Sequence, residues 1–370
     1  MAHQDIAKVL GSRIEGAISI TEKWFYHNPK ELYGLWIYLR RGVDVRLAAD
    51  KAIISEGFVF ERAPFGQCHA STIVQTREGD LLTAFFAGTE EGHGDVAIWL
   101  SRGDGSGWSP PSKVAWDEGA PCWNPVLFRD AGEKIYLFYK AGPSPETWSG
   151  VYLTSDDDGV NWSQPHHLPA GLLGPIKNKP ITMSNGDVIC GTSTESYRAW
   201  ACWVEIMGEG GWGKFGPIYY EGVNEGIIQP SIVELSGGVL RMFVRSTQRI
   251  GRICSADSSD YGRTWSRATA TALPNPDSGI DCVKMRSGAI AMIYNDSTTS
   301  RTPLSAAVSA DGGRTWKKAL DLETGDGEFS YPSVIQATDG RLHAVYTWKR
   351  KRIKHIALDN VQLERALDST

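Results

Sequence analysis

A short pattern, Ser-x-Asp-x-Gly-x-x-Trp, occurs three times along the chain. It reads Ser155-Asp156-Asp157-Asp158-Gly159-Val160-Asn161-Trp162, then Ser258-Ser259-Asp260-Tyr261-Gly262-Arg263-Thr264-Trp265, then Ser309-Ala310-Asp311-Gly312-Gly313-Arg314-Thr315-Trp316. The tryptophans lie 103 and 51 residues apart, so the longer gap hides one further copy. Gly208-Glu209-Gly210-Gly211-Trp212 stands there, with Ser and Asp lost. One unit upstream, Ser101-Arg102-Gly103-Asp104-Gly105-Ser106-Gly107-Trp108 carries Gly103 in the Asp place. The tryptophans thus mark steps of 54, 50, 53 and 51 residues. A fixed period of that size points to a propeller, a solenoid or an array. Within the box, Asp and Ser hydrogen-bond the backbone of a tight turn, Gly supplies a positive φ, and Trp staples the turn to a sheet. The boxes therefore read as hairpin clasps rather than as calcium or substrate sites.

Each unit has an apolar strand, a Gly turn, a second apolar strand, a loop, a third strand, the box and a variable fourth strand. Six units read this way, their first strands opening near Ser71, Pro125, Pro180, Pro230, Cys282 and Pro332. The sixth has no box, and Gly57–Arg62 can supply its outer strand. A ring closed by both chain ends leaves no exposed sheet edge. The expected fold is all-β: a six-bladed β-propeller over 56–362 and a tail over 363–370. Residues 1–55 do not fit the repeat. Ile6, Val9, Leu10, Ile14, Ala17 and Ile18 fall at helical spacing, and Asn28 and Gly42 bracket a second helix from Pro29 to about Arg41. They predict an α-helical N-terminal extension, a packing surface that could carry a homo-oligomer contact.

The net charge of -5 argues against nucleic acid as a partner. The run Lys349-Arg350-Lys351-Arg352 reads mostly as a solvated strand face, with contact to an anionic substrate as the lesser alternative. Six scattered cysteines without a C-x-x-C, and a Met1–Leu10 segment that carries Asp5 and no apolar run, predict a cytoplasmic protein. No stretch is long enough to span a membrane. No His pair or His/carboxylate cluster has ligand spacing, so neither a metal nor a cofactor is expected.

The first residues of each inner strand should point into the mouth of a central channel. Aligning the units places His69, Asn124, Lys179, Gln229, Asp281 and Tyr331 there, and Pro follows four of them, at 125, 180, 230 and 332. Proline donates nothing to a ladder and fits the first position of a strand. A second tier comprises Glu90, Lys140, Glu195, Arg245, Asn295, Arg301 and Trp348. Arg245 closes one apolar strand and Arg301 opens another, and an arginine beside a concave site suits bidentate carboxylate recognition.

With these residues in view, about 57–360 resembles the sialidase (neuraminidase) superfamily of Asp-box, or BNR-repeat, propellers. Asn224-Glu225…Gln229-Pro230-Ser231 followed by Arg245 looks like the segment carrying that family's second arginine. Arg301 before the box at Ser309 looks like its third, and Tyr331 sits where the family places its nucleophilic tyrosine. The departures are specific. The family opens its first inner strand with Arg-Ile-Pro, whose arginine belongs to a three-arginine carboxylate clamp; here Gln67-Cys68-His69-Ala70-Ser71-Thr72 stands, with His69 in the arginine place. Gln229 replaces the glutamate that polarises the tyrosine, and Glu90 or Asp95 are the acids nearest the catalytic aspartate. Similar propellers act on uronic-acid glycans with histidine and tyrosine.

The resemblance implies an enzyme that cleaves the glycosidic bond of an acidic oligosaccharide or glycoside. His69, Tyr331, Asp281 and Lys179 are its expected catalytic set. Arg245, Arg301, Gln229, Asn124, Lys140, Glu90, Glu195 and Trp348 are expected to bind substrate. Two alternatives stand beside it. One is a uronate-glycan lyase of rhamnose–glucuronate type, in which His69 abstracts a proton and Tyr331 protonates the leaving oxygen. The other is a non-catalytic glycan-binding propeller, since fold alone does not fix function.

Overall fold

The structure, a computed structural model, describes residues 52–224 and 226–368. The two N-terminal helices read from the sequence lie outside the described residues. Six four-stranded antiparallel sheets form the blades. Five are consecutive in sequence, from Gln67–Ala115 to Asp281–Glu323. In the sixth, Phe329–Gln336, Leu342–Trp348 and Arg352–Leu358 are joined by Ile53–Phe58 as the outer strand. Closure by both chain ends is as expected, with the N-terminal strand starting a few residues earlier than Gly57. The innermost hairpins are apolar on both faces because each sheet is packed between two others. Leu82, Phe85, Ile98, Leu127, Ile135 and Phe243 are among the fully buried side chains between them.

The boxes do what their chemistry dictates. Ser155, Ser258 and Ser309 each donate from Oγ to the box Asp and accept from the Gly N–H, at 2.8–3.0 Å. Asp260 and Asp311 accept from the Thr hydroxyl and N–H four residues on. They form the turns between third and fourth strands, at the end of the channel away from the inner-strand starts. The box glycines must stay bare. A Cβ at Gly159 would lie 2.5 Å from Leu82 of the preceding blade, and one at Gly262 2.5 Å from Ile189. Each box thereby caps its predecessor. The first copy needs a correction: Ser155, Ser258 and Ser309 face Ile135, Leu240 and Ile290, whereas Gly103, not Ser101, faces Leu81. That turn is short by two residues, and Ser101 lies inside the sheet opposite Thr83.

Blade six carries a histidine pair against blade one. His343 Nδ1 and His355 Nε2 are 3.0 Å apart with stacked rings, and Trp108 packs edge-on against His355. Burial, with the neighbouring His343, pushes His355 down from 6.5 to about 3, and burial lowers His343 as well. The folded protein therefore binds these protons more weakly than the unfolded chain, so their contribution is complete above pH 6.5 and is lost as pH falls toward 3. Thermal unfolding should show a stability decline across that interval. The decline should flatten in His355→Gln; an unchanged slope would rule this pair out as its source.

Candidate functional site

The mouth is built from one repeated backbone device. Gln75↔Leu81, Arg129↔Ile135, Thr182↔Val188, Glu234↔Leu240, Lys284↔Ile290 and Gln336↔Leu342 are equivalent inner-hairpin pairs. The same distance back from each pair stand Ala70, Asn124, Lys177, Gln229, Gly279 and Tyr331. Four of these sit in bulges with φ of 54° (Ala70), 39° (Asn124), 60° (Gln229) and 53° (Tyr331). Such left-handed non-glycine residues store strain and re-aim side chains toward the axis.

Asn124, Gln229 and Tyr331 therefore occupy the ring read from the sequence, and three others do not. His69 is one residue off, Lys179 and Asp281 two. Counting on proline misled in blade three, because Pro180 lies deeper there; blades one and five have no proline to count on. Lys177 and Gly279 take the axial places instead. A Cβ at Gly279 would lie 3.3 Å from the Gln229 side-chain Oε1, Lys177 Cε and the Tyr331 ring alike, so a side chain there would crowd the axis. Lys177 is a knot rather than a reactant. Its Nζ donates to Asn178 Oδ1 at 2.9 Å, to Ile280 O at 3.0 Å and to Pro332 O. Burial pushes it down to about 7, against the pull of Asp281.

Asp281 is fully buried below the mouth. It accepts from Ser231 Oγ at 2.7 Å, Lys179 Nζ at 2.7 Å and Val334 N at 2.9 Å. These bonds fasten blades three, four, five and six together and engage Asp281 and Lys179 with each other. Lys140 is likewise sealed between blades two and three, donating to Pro175 O beside Glu205, with burial pushing it down to about 7. Trp348 is spent on packing, edge-on to Phe58 and beneath Arg352 and Lys349.

Tyr331 is the focus of what remains. Its hydroxyl accepts from Arg245 Nη1 and, at 3.2 Å, from Gln229 Nε2. The Arg245 and Arg301 guanidinium carbons stand 5.6 and 5.5 Å from its ring centre. Arg245 is fixed by Asp277 Oδ1 at 2.8–2.9 Å. Arg301 donates to Glu328 Oε1 at 2.8 Å and to Asp277 O at 3.1 Å. Arg350 reaches the same Glu328 oxygen at 2.9 Å and also bonds Glu91. Burial would raise Glu328, but Arg350 and Arg301 outweigh it and hold the carboxyl below its usual range.

Arg350 is the residue that sequence reasoning did not single out from its basic run. The basic run is not a uniform solvated face. Lys349 and Arg350 have φ of 52° and 57°, and this tight turn carries Arg350 toward the mouth. The available signal was position: the run interrupts a hairpin at the same end of the blade as Tyr331.

His69 lies beneath the tyrosine, its ring 4.1 Å from that of Tyr331 and its Nδ1 2.9 Å from Thr347 Oγ1. Burial first, then Arg350, Arg301, Arg245 and Lys177, hold its pKa far below 6.5, so it is neutral. Its edge lines a small depression with Phe86, Glu90, Glu91 and Arg350. Asp95 is occupied by Thr89 and His93. Glu195 ends a second strand, Val188–Ser196, that runs past its counterparts. Burial pushes it up to about 7 despite the pull of Arg245. Chemically, the mouth offers two guanidiniums around one phenol, a third on the Glu328 that Arg301 also holds, and a carboxyl group near Arg245 whose pKa burial raises. Among the described residues no cluster of His, Cys, Asp and Glu could hold a metal ion.

The BNR repeat-like domain model matches residues 79–344. No curated protein matches the chain. Among solved structures, a protein of unknown function from Dyadobacter fermentans superposes with a TM-score of 0.70 at 16% identity, over 83% of this chain and 98% of the other. A Hadza microbial sialidase superposes at 0.68 with 19% identity, over 80% of this chain and 66% of that one. The NanB sialidase of Streptococcus pneumoniae superposes at 0.68 with 13% identity, over 84% and 71%. At these identities the likeness is one of fold.

Proposed function

The chain belongs to the BNR repeat-like domain family, and from that premise we propose that it hydrolyses the glycosidic bond of an acidic sugar. The observation that carries this reading is the convergence of Arg245 and Arg301 on Tyr331, with Arg350 joined to Arg301 through the shared Glu328 oxygen. A carboxylate is the planar anion that such a fork-lined site recognises. In this reading the arginines hold the sugar carboxylate, exchanging it for part of their bonding to Asp277, Glu328 and Glu91. The Tyr331 oxygen, held by Arg245 and Gln229, faces the anomeric carbon as nucleophile or cation stabiliser, a known exception to the two-carboxylate rule. Glu195, with its raised pKa, is the best-suited proton donor to the leaving oxygen. Six free, buried thiols agree with a reducing compartment.

Elimination is the second reading, favoured by one observation: His69 is neutral and borders the depression beside Arg350. Its burial beneath Tyr331 favours hydrolysis, with His69 as a positioning residue. Product masses from a panel of sialosides and uronosides decide. Addition of water supports hydrolysis, an unsaturated product end supports elimination, and saturable binding without turnover supports a glycan-binding propeller. Arg350→Ala should raise KM on the cleaved substrate by about tenfold or more, the loss of one charge-assisted contact. An unchanged KM would remove Arg350 from the clamp.

A further inference from the structure

At the opposite end of the propeller the capping pattern is thinned at one place. The boxes of blades two, four and five lie over the blades before them, as Gly159 on Leu82, Gly262 on Ile189 and Gly313 on Phe243 show. Blade six has no box, but the helix Asn360–Glu364 and the turn after it lie against blade five, where Glu364 accepts from Ser287 Oγ at 2.9 Å. Blade three has lost its box to the short turn 208–211, and over blade two only the Trp212 contact of the pattern is kept, edge-on to Phe138. An open depression of about 920 Å³ remains, walled by blade two's turn at Asp130, blade three's turns at Asn185 and Glu209, and Arg263 of the next box.

Its lining has a definite chemistry. Trp212 forms one wall. In two of the three intact boxes the indole N–H donates to the box glycine, Trp265 to Gly262 O at 2.8 Å and Trp316 to Gly313 O at 3.1 Å, while Trp162 Nε1 has no partner among the described residues. Among the described residues the Trp212 N–H has no such acceptor. Asp130, Asp187 and Glu209 outnumber the one cation, Arg263. Asn185 Nδ2 holds Asp187 Oδ2 at 3.0 Å and leaves its other oxygen facing Gly208. Several walls are glycine, so backbone peptide groups lie open to an incoming molecule.

We propose that this depression binds a neutral oligosaccharide segment. A pyranose carries hydroxyl donors for the carboxylates, an acceptor for the indole N–H and a C–H face for the ring. The acidic lining disfavours an anionic sugar, the reverse of the arginine-lined mouth. The inference does not depend on the reaction at that mouth.

The test is calorimetric titration of the full chain with cello-, xylo-, manno- and galacto-hexaoses. At least one should bind saturably, and Trp212→Ala should weaken it at least roughly tenfold, the loss of one stacking ring and its N–H bond. Should Trp212→Ala melt early, the exposed pair Asn185→Ala/Glu209→Ala should weaken the same titration, while Tyr331→Phe leaves it unchanged. No saturable binding, binding that survives these variants, or binding lost in Tyr331→Phe would overturn the assignment.

Discussion

Tyr331→Phe should lose turnover by on the order of 10³-fold or more, the scale on which removal of a covalent nucleophile is felt. Only one oxygen is removed. The ring keeps its place 4.1 Å from His69 and between the two guanidiniums. Arg245 keeps Asp277 and Gln229 as partners, so substrate binding should change little. The loss should fall in kcat, with KM within a few-fold of the parent. Unfolding temperature should stay close to that of the parent, because Phe retains the packing. A variant that keeps most of its kcat would reduce Tyr331 to a structural member of the ring.

Asp281→Ala should be the most damaging single change to stability. The carboxylate is wholly buried and accepts from a hydroxyl, an ammonium and a neighbouring blade's N–H. Its removal leaves Lys179 without its counter-ion and Val334 N without an acceptor. Breaking a buried pair from one side costs about 3–5 kcal/mol. In a domain of this size that is a fall of roughly 5–8 °C in Tm. Denaturant unfolding of the variant measures it directly. A cost under about 1 kcal/mol, the surface-pair range, would contradict the clasp and reopen Asp281 as a reactive group.

The propeller was legible because its signal is periodic and local. A box turn needs Asp, Gly and Trp in fixed order, and that need repeats with each blade. Closure was legible because a boxless sixth unit lacks its outer strand. The ring at the mouth was legible only where proline marks the bulge, at Asn124, Gln229 and Tyr331, while Arg245 and Arg301 were legible from their places at strand ends. In blades one, three and five the strand is set by pairing partners, which a sequence does not print; hence His69, Lys179 and Asp281 stood for Ala70, Lys177 and Gly279. Arg350 was hidden by its neighbours, since a turn with two left-handed residues separates one arginine of a basic run from the rest. Lys140 illustrates the converse. It ends an apolar strand as Arg245 does, yet its stem runs between blades and its charge is buried there.

The most direct measurement is a matched pair of substrates: the acidic glycoside that the protein turns over fastest, and its carboxamide, identical except for the charge. The arginine cluster predicts kcat/KM higher for the acid by on the order of 10²-fold or more, since a site built for a charged acceptor is left unpaired by a neutral one. Arg245→Ala should erase most of that preference. Equal turnover of acid and carboxamide would contradict the account, because Arg245, Arg301 and Arg350 would then not be reading a carboxylate.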